Sequence, residues 1–450
     1  MSIDANPSIK EIATTFEDTP PYSMSELYGL NFSSGNAVTS GTIRLSEFRN
    51  KTVEAAFGET KITASDGVGN YEFGHSVSIS NDGSTAIVGI RYDLIPGSAY
   101  ILEKANGVWT QTAKLTASDV SGGDDFGYSV AISGDGLTAI VGAYDDSNGS
   151  AYIFEKGGSG WSNMTATVKL TPSDMTGNLG FSVSISNDGS TALAGAWGDN
   201  SNSGAAYIFK KGGSGWSNMT ETAKLTASVG TYYFGWSVAI SGDGSTALVG
   251  SYGDGTYTGA AYIFEKGGSG WSNMTETAKL TASDGVSNDQ FGTCVSISND
   301  GSTALAGADR DDSSKGAAYI FEKGGSGWSN MTETGKLTAS VRGDYNHFGI
   351  SVSISNDGST VLVGAYRYNS GRGGVYIFEK GGSGWSNMTE TTILSASDGL
   401  GGDDFGFFVS ISNDGSNIIV GAYSVDITTD GVTNASQGSA YIYEKTYFVN

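Results

Sequence analysis

An Asp-Gly pair preceded by Ser-Asn or Ser-Gly recurs seven times along the chain, with neighbouring copies 53 to 57 residues apart. Its aspartates are Asp82, Asp135, Asp188, Asp243, Asp300, Asp357 and Asp414. A period of this length lies in the range of β-propeller blades, each of which is a small four-stranded sheet. Such a unit buries its apolar surface against the neighbouring copies, so the repeat predicts one ring rather than several independent domains.

Each copy contains short apolar runs that predict four β-strands. In the second copy we expect strand A at 126–133, strand B at 137–144, strand C at 150–156 and strand D at 161–173. The connection between strands A and B reads S-N-D-G or S-G-D-G, and Asp-Gly suits the positive φ of a tight hairpin turn. The sequence therefore predicts an all-β fold, a seven-bladed β-propeller of four-stranded antiparallel blades.

The seventh copy lacks a strand D of its own. It ends with SAYIYEK at 439–445, after which only TYFVN remains. The missing strand is present near the other end of the chain, where KITAS at 61–65 resembles the KLTAS that closes internal copies. We therefore predict that residues around 56–65 complete the blade formed by 405–445, which closes the ring and hides two sheet edges.

The chain is strongly acidic, with a formal net charge of −23 and a pI near 4.3. Its field repels phosphate backbones and anionic lipid surfaces. The sequence has no continuous apolar run of the roughly 18 residues that a membrane span needs, and its first residues lack the pattern of a secretory signal. We expect no nucleic-acid partner, no membrane insertion and no internal disulfide, because Cys294 is the one cysteine.

The copies differ from one another mainly in two of their four connections. In an antiparallel blade the A–B and C–D connections share one end, and the B–C and D–A loops share the other. The A–B turns and C–D segments recur almost verbatim, whereas the D–A and B–C loops differ between copies. We call these ends the uniform face and the variable face. Because recognition residues concentrate on loops held by a rigid scaffold, we predict that ligands bind the variable face.

Aromatic and arginine side chains are frequent in the loops of the variable face. Flat rings beside polar groups suit stacking on sugar rings or contact with a protein. The predicted ligand-binding residues are Tyr92, Tyr144, Trp197, Tyr252, Arg310, Tyr345, Tyr366 and Arg367. The alternative is that some of these rings only pack between blades.

Each copy combines Phe-Gly before a Val-rich strand with Asp-Gly and then a Val-Gly-Ala turn. Examples are FGHSVSISNDGSTAIVGI at 73–90 and FGISVSISNDGSTVLVGA at 348–365. This pattern resembles the FG-GAP repeat of integrin α-subunit propellers and of many microbial surface proteins, over about 61–450. One copy departs from it, with Leu179 in place of the phenylalanine.

Metal-binding FG-GAP repeats carry an A–B loop that resembles the calcium pattern D-x-D-x-D-G. Here the loop is shortened to a single carboxylate, such as Asp82 or Asp135, whereas calcium takes roughly six to eight oxygen ligands. We therefore predict that these aspartates shape turns and that the protein has no metal or other cofactor. Weak calcium binding by loop aspartates, such as Asp145 with Asp146, is the alternative.

Catalytic groups with a recognisable spacing are missing from the sequence. The two histidines, His75 and His347, occupy non-equivalent positions and form no triad, and we expect both at the surface or at blade edges. The Asp box of sialidases, S-x-D-x-G-x-T-W, does not match S-N-D-G-S-T. We therefore predict that the protein is not an enzyme, with a glycan-active hydrolase as an alternative.

Two short motifs have both a functional and a plain interpretation. Arg342-Gly343-Asp344 spells an integrin-recognition tripeptide, although three-residue matches arise easily by chance. The Asn-Met-Thr sequons would be glycosylated only in a secretory lumen, and we interpret them as turn residues duplicated with the blade. Their asparagines are Asn163, Asn218, Asn273, Asn330 and Asn387.

Residues 1–55 differ in composition from the propeller at 56–450. SIKE (8–11) and SMSE (23–26) fit helix capping boxes, and LSEFRNK (45–51) fits a third short helix. The run from 21 to 51 resembles a module near the start of structural proteins of marine phages and large algal DNA viruses. That resemblance implies an adaptor that docks onto other virion proteins; the alternative is an arm that packs on the ring.

Together these features predict a non-enzymatic protein of the virion surface. Its variable face would bind a host receptor, a glycan or a neighbouring virion protein, and residues 1–55 would hold it to the particle. A cellular surface adhesin resembling a lectin is the alternative from another class.

Overall fold

The computed structural model describes residues 31–32, 53–91, 97–174, 177–429 and 432–449. The chain divides into two compact units, which are described separately. One unit is the propeller, Lys61–Ile442, and the other combines Met1–Thr60 with Tyr443–Asn450. The helices that the sequence predicts at 8–11, 23–26 and 45–51 lie outside the described residues.

The strands of the first four blades follow one another along the chain. They are preceded by β1 (Asn31–Phe32) and β2 (Val53–Ile62). Blade 1 contains β3 (Phe73–Ile79), β4 (Thr85–Ile90), β5 (Ala99–Ala105) and β6 (Val108–Thr116). Blade 2 contains β7 (Phe126–Ile132), β8 (Thr138–Ala143), β9 (Ser150–Glu155) and β11 (Val168–Leu170). The intervening β10 (Met164–Thr165) pairs with β6 of blade 1. Blade 3 contains β12 (Ser182–Ile185), β13 (Thr191–Ala196), β14 (Ala205–Lys210) and β15 (Ala223–Thr226). Blade 4 contains β16 (Ser237–Ile240), β17 (Thr246–Ser251), β18 (Ala260–Glu265) and β20 (Ala278–Thr281). The intervening β19 (Met274–Thr275) pairs with β15 of blade 3.

The last three blades repeat this order. Blade 5 contains β21 (Val295–Ile297), β22 (Thr303–Ala308), β23 (Ala317–Glu322) and β25 (Gly335–Leu337). The intervening β24 (Met331–Thr332) pairs with β20 of blade 4. Blade 6 contains β26 (Ser351–Ile354), β27 (Thr360–Gly364), β28 (Val375–Glu379) and β29 (Thr392–Leu394). Blade 7 contains β30 (Phe408–Ile411), β31 (Asn417–Ala422) and β34 (Ser439–Val449). In its B–C loop, β32 (Ile427–Thr429) pairs with β33 (Val432–Asn434). Four B–C loops contain a short helical turn, namely α1 (Asp199–Asn202), α2 (Asp254–Tyr257), α3 (Asp311–Ser314) and α4 (Tyr368–Gly371).

The hydrophobic core lies between neighbouring blades. Ile87 of blade 1 and the fully buried Phe126 of blade 2, for example, belong to one cluster. The glycine of each Phe-Gly pair allows this close packing. Gly127 has a φ of +94°, and a Cβ atom there would lie 2.5 Å from the Ser98 carbonyl oxygen. An L-residue with a side chain would be strained at this backbone angle and would clash, so the position requires glycine.

Strand D of the second copy is shorter than the sequence predicts, and the prediction of 161–173 is wrong for its first half. Only β11 pairs with strand C of its own blade, whereas β10 runs parallel to β6 of the preceding blade. The Asn163 side-chain oxygen accepts a hydrogen bond from the Lys114 backbone N–H at 2.8 Å. Trp161, at the start of the segment, is buried and donates to the Gly136 carbonyl.

The same side-chain contact recurs in every copy that carries an Asn-Met-Thr segment. We call these segments the latches, because each one fastens its own blade to the outer strand of the preceding blade. The other four asparagines accept from the backbone N–H groups of Lys169, Lys224, Lys279 and Lys336. The sequons therefore have a structural role, and they join two blades rather than form a turn within one.

The ring closes as the sequence predicts, with β2 pairing with β34 in blade 7. The Lys61 Nζ lies 2.6 Å from an Asp398 carboxylate oxygen and 5.3 Å from the centre of the Tyr441 ring. Lys114, Asp66 and Tyr100 make the same arrangement within blade 1. The borrowed strand therefore occupies the place of an ordinary strand D.

Candidate functional site

The uniform face is a belt of hydrogen-bonded A–B turns. The Asn81 backbone N–H donates to the Gly134 carbonyl of the next blade, and the Asn413 N–H donates to the Asn81 carbonyl across the closure. Four further bonds of this kind join successive turns between Asp135 and Asn356. This end of the propeller is therefore built mainly from backbone contacts.

The carboxylates of the turn aspartates accept hydrogen bonds from neighbouring serines. The Asp82 carboxylate accepts from the Ser80 hydroxyl at 2.6 Å, and from the Ser84 N–H at 2.9 Å and hydroxyl at 2.7 Å. Burial alone would raise the pKa of Asp82, but these bonds outweigh burial and hold the pKa below its usual value. The aspartates therefore close turns, and the described residues contain no group of three or more side chains placed to hold a metal ion.

The variable face carries a ring of seven residues, each directly after a Phe-Gly or Leu-Gly pair. We call it the first ring. Its members are His75, Tyr128, Phe181, Trp236, Thr293, Ile350 and Phe407. Ring centres are 4.7 Å apart for His75 and Tyr128, 4.8 Å for Tyr128 and Phe181, and 4.3 Å for Phe181 and Trp236. Successive aromatic side chains therefore contact one another from blade 1 to blade 4.

A second ring is formed by the residues with which the B–C loops begin. Its members are Arg91, Tyr144, Trp197, Tyr252, Asp309, Tyr366 and Tyr423. The Tyr144 ring lies 4.6 Å from Tyr128 in its own blade and 5.3 Å from Phe181 in the next. Because members such as Tyr144 contact two neighbouring blades, the aromatic residues of the two rings form one continuous surface.

A third set of residues stands directly before each Phe-Gly or Leu-Gly pair, and all seven have positive φ. They are Glu72, Asp125, Asn178, Tyr233, Gln290, His347 and Asp404. This backbone conformation is uncommon for residues other than glycine and directs the side chains toward the second ring. Tyr233, for example, stacks on Tyr252 with ring centres 5.0 Å apart and planes 2° from parallel.

Below the first ring lies a central channel with a volume of about 360 Å³. Strand A of every blade contributes to its wall, which combines valines with small residues such as Ser78 and Ala131. Small-molecule sites are typically clefts of roughly 300–1,000 Å³ with mostly apolar walls and a few polar groups. The channel mouth therefore has the size and lining of a ligand site.

Acidic side chains gather at the mouth near blades 1, 2 and 7. Burial raises the pKa of Glu72 and of Asp125, although the nearby Arg91 guanidinium opposes both shifts. Arg91 also lies over the Tyr128 ring, 5.8 Å from its centre. One carboxylate oxygen each of Glu72 and Asp404 is buried and has no hydrogen-bond partner in the part of the chain that the structure describes.

The structure brings four of the predicted ligand-binding residues together. Tyr144, Trp197, Tyr252 and Tyr366 occupy equivalent positions in the second ring and are each partly buried. Burial raises the pKa of Tyr252 to about 12. These residues therefore belong to one surface, although each also packs against its neighbours.

The other four predicted residues lie apart from this cluster or outside the described residues. Arg310 and Arg367 are exposed directly after the second ring, and Arg367 lies over Tyr366 at 5.0 Å from the ring centre. Tyr345 is 69 % exposed on a D–A loop and makes no ring contact among the described residues. Tyr92 lies outside the described residues.

Sequence reasoning missed most of the first ring, including Tyr128, Phe181, Trp236 and Phe407. The signal was present, because the residue after Phe-Gly changes from copy to copy within a strand that otherwise barely varies. That position lies at the end of strand A that meets the variable face. A residue near the start of strand A, such as Tyr128, can thus form part of the variable face together with the loops.

The two histidines are predicted at the surface or at blade edges. His75 is 1 % exposed and therefore not at the surface, but it lies on β3, an edge strand of its blade, and His347 is 20 % exposed. Burial and the nearby Arg91 lower the pKa of His75 to about 3, which keeps the ring neutral. His347 pairs with Asp309, with 2.9 Å between Nδ1 and a carboxylate oxygen.

The charged residues of the Arg-Gly-Asp tripeptide form ion pairs with the neighbouring B–C loop. The Arg342 guanidinium lies 3.1 Å from the buried Asp311 carboxylate and 3.5 Å from Asp312. Asp344 is exposed and lies 3.8 Å from Lys315. The arginine therefore serves an internal ion-pair network.

Comparison with known proteins yields a family for the chain. Among the described residues, no helix is long and apolar enough to cross a bilayer. No curated protein matches the sequence. The FG-GAP repeat profile matches seven times, at 57–102, 109–154, 164–209, 219–264, 274–321, 331–378 and 388–443. These matches cover most of the chain, and each contains strands A to C of one blade together with outer-strand residues of the blade before it, so the protein belongs to the FG-GAP repeat family as a seven-bladed β-propeller.

Proposed function

We propose that the protein is a non-enzymatic binding module that holds its ligand at the channel mouth of the variable face. The supporting observation is the contrast between the two rings and their scaffold. Residue types at the ring positions change from blade to blade, while the strands and uniform-face turns scarcely change. FG-GAP propellers are typically ligand- or protein-binding folds, which agrees with this role.

The chemistry of the rings suits recognition. Tyrosine and tryptophan present large, rigid surfaces with a polar atom at one edge, and such residues carry most of the binding energy in many interfaces. Tyr232 and Tyr257 beside the second ring are 60 % and 40 % exposed, so aromatic surface is available to a partner. The partner is a host receptor, a glycan or a neighbouring protein.

We further propose that the protein acts on the surface of a virion, with residues 1–55 joining it to other virion proteins. The resemblance of 21–51 to viral structural proteins and the one-sided variation of the loops support this location. FG-GAP repeats are typical of extracellular proteins, so a cellular surface adhesin is the second candidate. Mass spectrometry of purified virus particles and of host membranes tests both, and finding the chain in host membranes alone would contradict the virion role.

The binding site is tested with a matched pair of variants. Tyr252→Ala removes an aromatic ring from the mouth, whereas Leu137→Ser changes an exposed residue of the uniform face to the serine present in other copies. We expect labelled Tyr252→Ala protein to lose at least about tenfold of its affinity for target particles or cells, and Leu137→Ser to bind normally. Equal binding by both variants would place the site elsewhere.

A further inference from the structure

The channel mouth is not aromatic all the way round. At blades 5 and 6 the first ring has Thr293 and Ile350, the second ring has Asp309, and the third set has His347. Blade 5, with Gln290 in the third set, is the one blade without an aromatic ring at any of these three positions, whereas blade 6 has Tyr366 in the second ring. The mouth therefore has an aromatic side and a polar sector, which we define as Thr293, Asp309 and His347.

The polar sector is held in a fixed arrangement. Asp309 is 4 % exposed. Its carboxylate lies 2.9 Å from His347 Nδ1 and accepts a hydrogen bond from the Thr293 hydroxyl at 3.4 Å. The Thr293 hydroxyl also lies 2.7 Å from the Gln290 carbonyl oxygen. The His347 ring packs beside Tyr366, with 5.3 Å between ring centres. The positive φ of His347 and these contacts fix the direction of its imidazole.

This arrangement determines which hydrogen bonds remain for a ligand. An ionised carboxylate only accepts, so the Asp309 carboxylate favours the tautomer in which Nδ1 carries the proton. Nε2 then accepts a hydrogen bond in the neutral ring and donates one in the doubly protonated ring, and a hydroxyl group can pair with either form. Nε2 has no hydrogen-bond partner among the described residues. The His347 side chain is 20 % exposed, so a hydroxyl group at the mouth can reach it.

Charge narrows the class of ligand further. The chain carries a net charge of −23, and Glu72, Asp125 and Asp404 lie at the same mouth. Arg310 and Arg367 are exposed beside the polar sector, but the net charge of the whole chain subjects sialylated or sulfated ligands to long-range repulsion. A neutral sugar avoids it, and a pyranose ring combines one apolar face with hydroxyl groups at its edge.

We propose that the polar sector binds hydroxyl groups of a neutral saccharide, whose apolar face packs against the aromatic side of the mouth. This inference rests on the proposed function, because it names the ligand class of the same site. Asp309 is a positioning residue that orients His347. His347 binds one sugar hydroxyl at Nε2, and the Thr293 oxygen, whose proton goes mainly to the Gln290 carbonyl, accepts a hydrogen bond from a second hydroxyl.

Saturation-transfer NMR on the full chain tests the proposal. The probes are neutral oligosaccharides of glucose, galactose, mannose and N-acetylglucosamine, with sialyllactose and sulfated galactose oligosaccharides as anionic counterparts. We expect transfer to at least one neutral probe and none to the anionic ones. His347→Phe, which keeps a ring beside Tyr366, and Thr293→Val, which keeps the shape, should each weaken binding at least about tenfold, while Leu137→Ser leaves it unchanged.

The outcomes separate this inference from the proposed function. Absence of transfer from every neutral probe, or transfer that survives both variants, overturns the saccharide proposal, as does equal binding of anionic probes. If target binding still depends on Tyr252 in that case, the mouth binds a protein and the proposed function stands. Should His347→Phe fail to fold in a thermal melt, Thr293→Val alone decides between these outcomes.

Discussion

Seven equivalent tyrosines of strand C show how the contacts of one residue depend on its neighbours. They are Tyr100, Tyr152, Tyr207, Tyr262, Tyr319, Tyr376 and Tyr441, all essentially buried. The Tyr319 hydroxyl donates to Asp284 at 3.0 Å and to Asp311 at 3.2 Å, and Lys336 lies over its ring. In blade 6 the positions of Asp284, Asp311 and Lys336 hold Val341, Tyr368 and Ile393. The Tyr376 hydroxyl is buried and has no hydrogen-bond partner among the described residues.

These two tyrosines form a matched pair for a stability test. Tyr319→Phe removes bonds to charged groups and should lower the free energy of unfolding by about 2 kcal/mol. Tyr376→Phe removes a hydroxyl that makes no bond, so we expect no loss or a small gain. Urea denaturation of both variants measures the difference. An equal loss in the two variants would show that the Tyr319 bonds contribute nothing to stability.

The latches are elements that sequence periodicity alone does not reveal. The Leu225 and Thr226 positions of β15 pair in parallel with Met274 and Thr275 of β19, which belongs to the next copy. Each latch therefore fills the outer edge of the preceding blade, an edge that would otherwise offer unpaired backbone groups. This contact gives the near-identity of the Asn-Met-Thr segments a physical cause.

Removal of one latch side chain should loosen one blade edge. Asn273→Ala deletes the acceptor for the Lys224 backbone N–H, which is 2.8 Å away. We expect a loss of about 1 kcal/mol in unfolding free energy and faster hydrogen exchange at the Lys224 amide. Ser272→Ala, at the exposed neighbouring residue, is the control. Unchanged exchange at Lys224 in Asn273→Ala would contradict the latch.

At the scale of the whole molecule, the ring depends on a strand from the start of the chain. Deletion of residues 1–65 removes β2 and leaves strand C of blade 7 as an open edge. We expect a lower melting temperature and association between copies, because unpaired edges recruit other strands. Size-exclusion chromatography with light scattering detects the association. Deletion of residues 1–52 retains β2 and serves as the control; identical behaviour of the two deletions would argue against closure by this strand.

Acid should destabilise the propeller through many small contributions. Hydrogen bonds from serines, which outweigh burial, hold the pKa values of Asp82, Asp243 and Asp357 below their usual range. A lowered folded pKa stabilises the native state above the unfolded value of about 3.9, and that stability is lost as the pH falls through the folded pKa. The raised pKa values of Glu72 and Asp125 act in the opposite sense but are fewer.

We therefore expect the melting temperature to fall as the pH is lowered from about 5 to about 3. Calorimetry across this range measures the effect, and Asp243→Asn should flatten the curve slightly because it removes one contributing carboxylate. A melting temperature that rises over the same interval would show that the buried carboxylates of the mouth dominate instead.

The blade number, the A–B turns and the closing strand were predictable because each is encoded in a local, repeated pattern. Seven Asp-Gly turns, apolar strands of fixed length and a KITAS segment without its own blade are all visible in the sequence. The variable face was predictable for the same reason, since strand order alone determines which loops share an end. Four of the eight predicted binding residues accordingly lie in one ring.

Only the tertiary structure decided which side chains meet across blades. The first ring, the pairing of Asp309 with His347 and the latches all join residues of different copies, and β10 joins the blade before its own. Their positions depend on the rotation between neighbouring blades and on close packing at residues such as Gly127. Periodicity within one copy carries no information about that rotation, so the sequence predicted the blades and the structure determined the site between them.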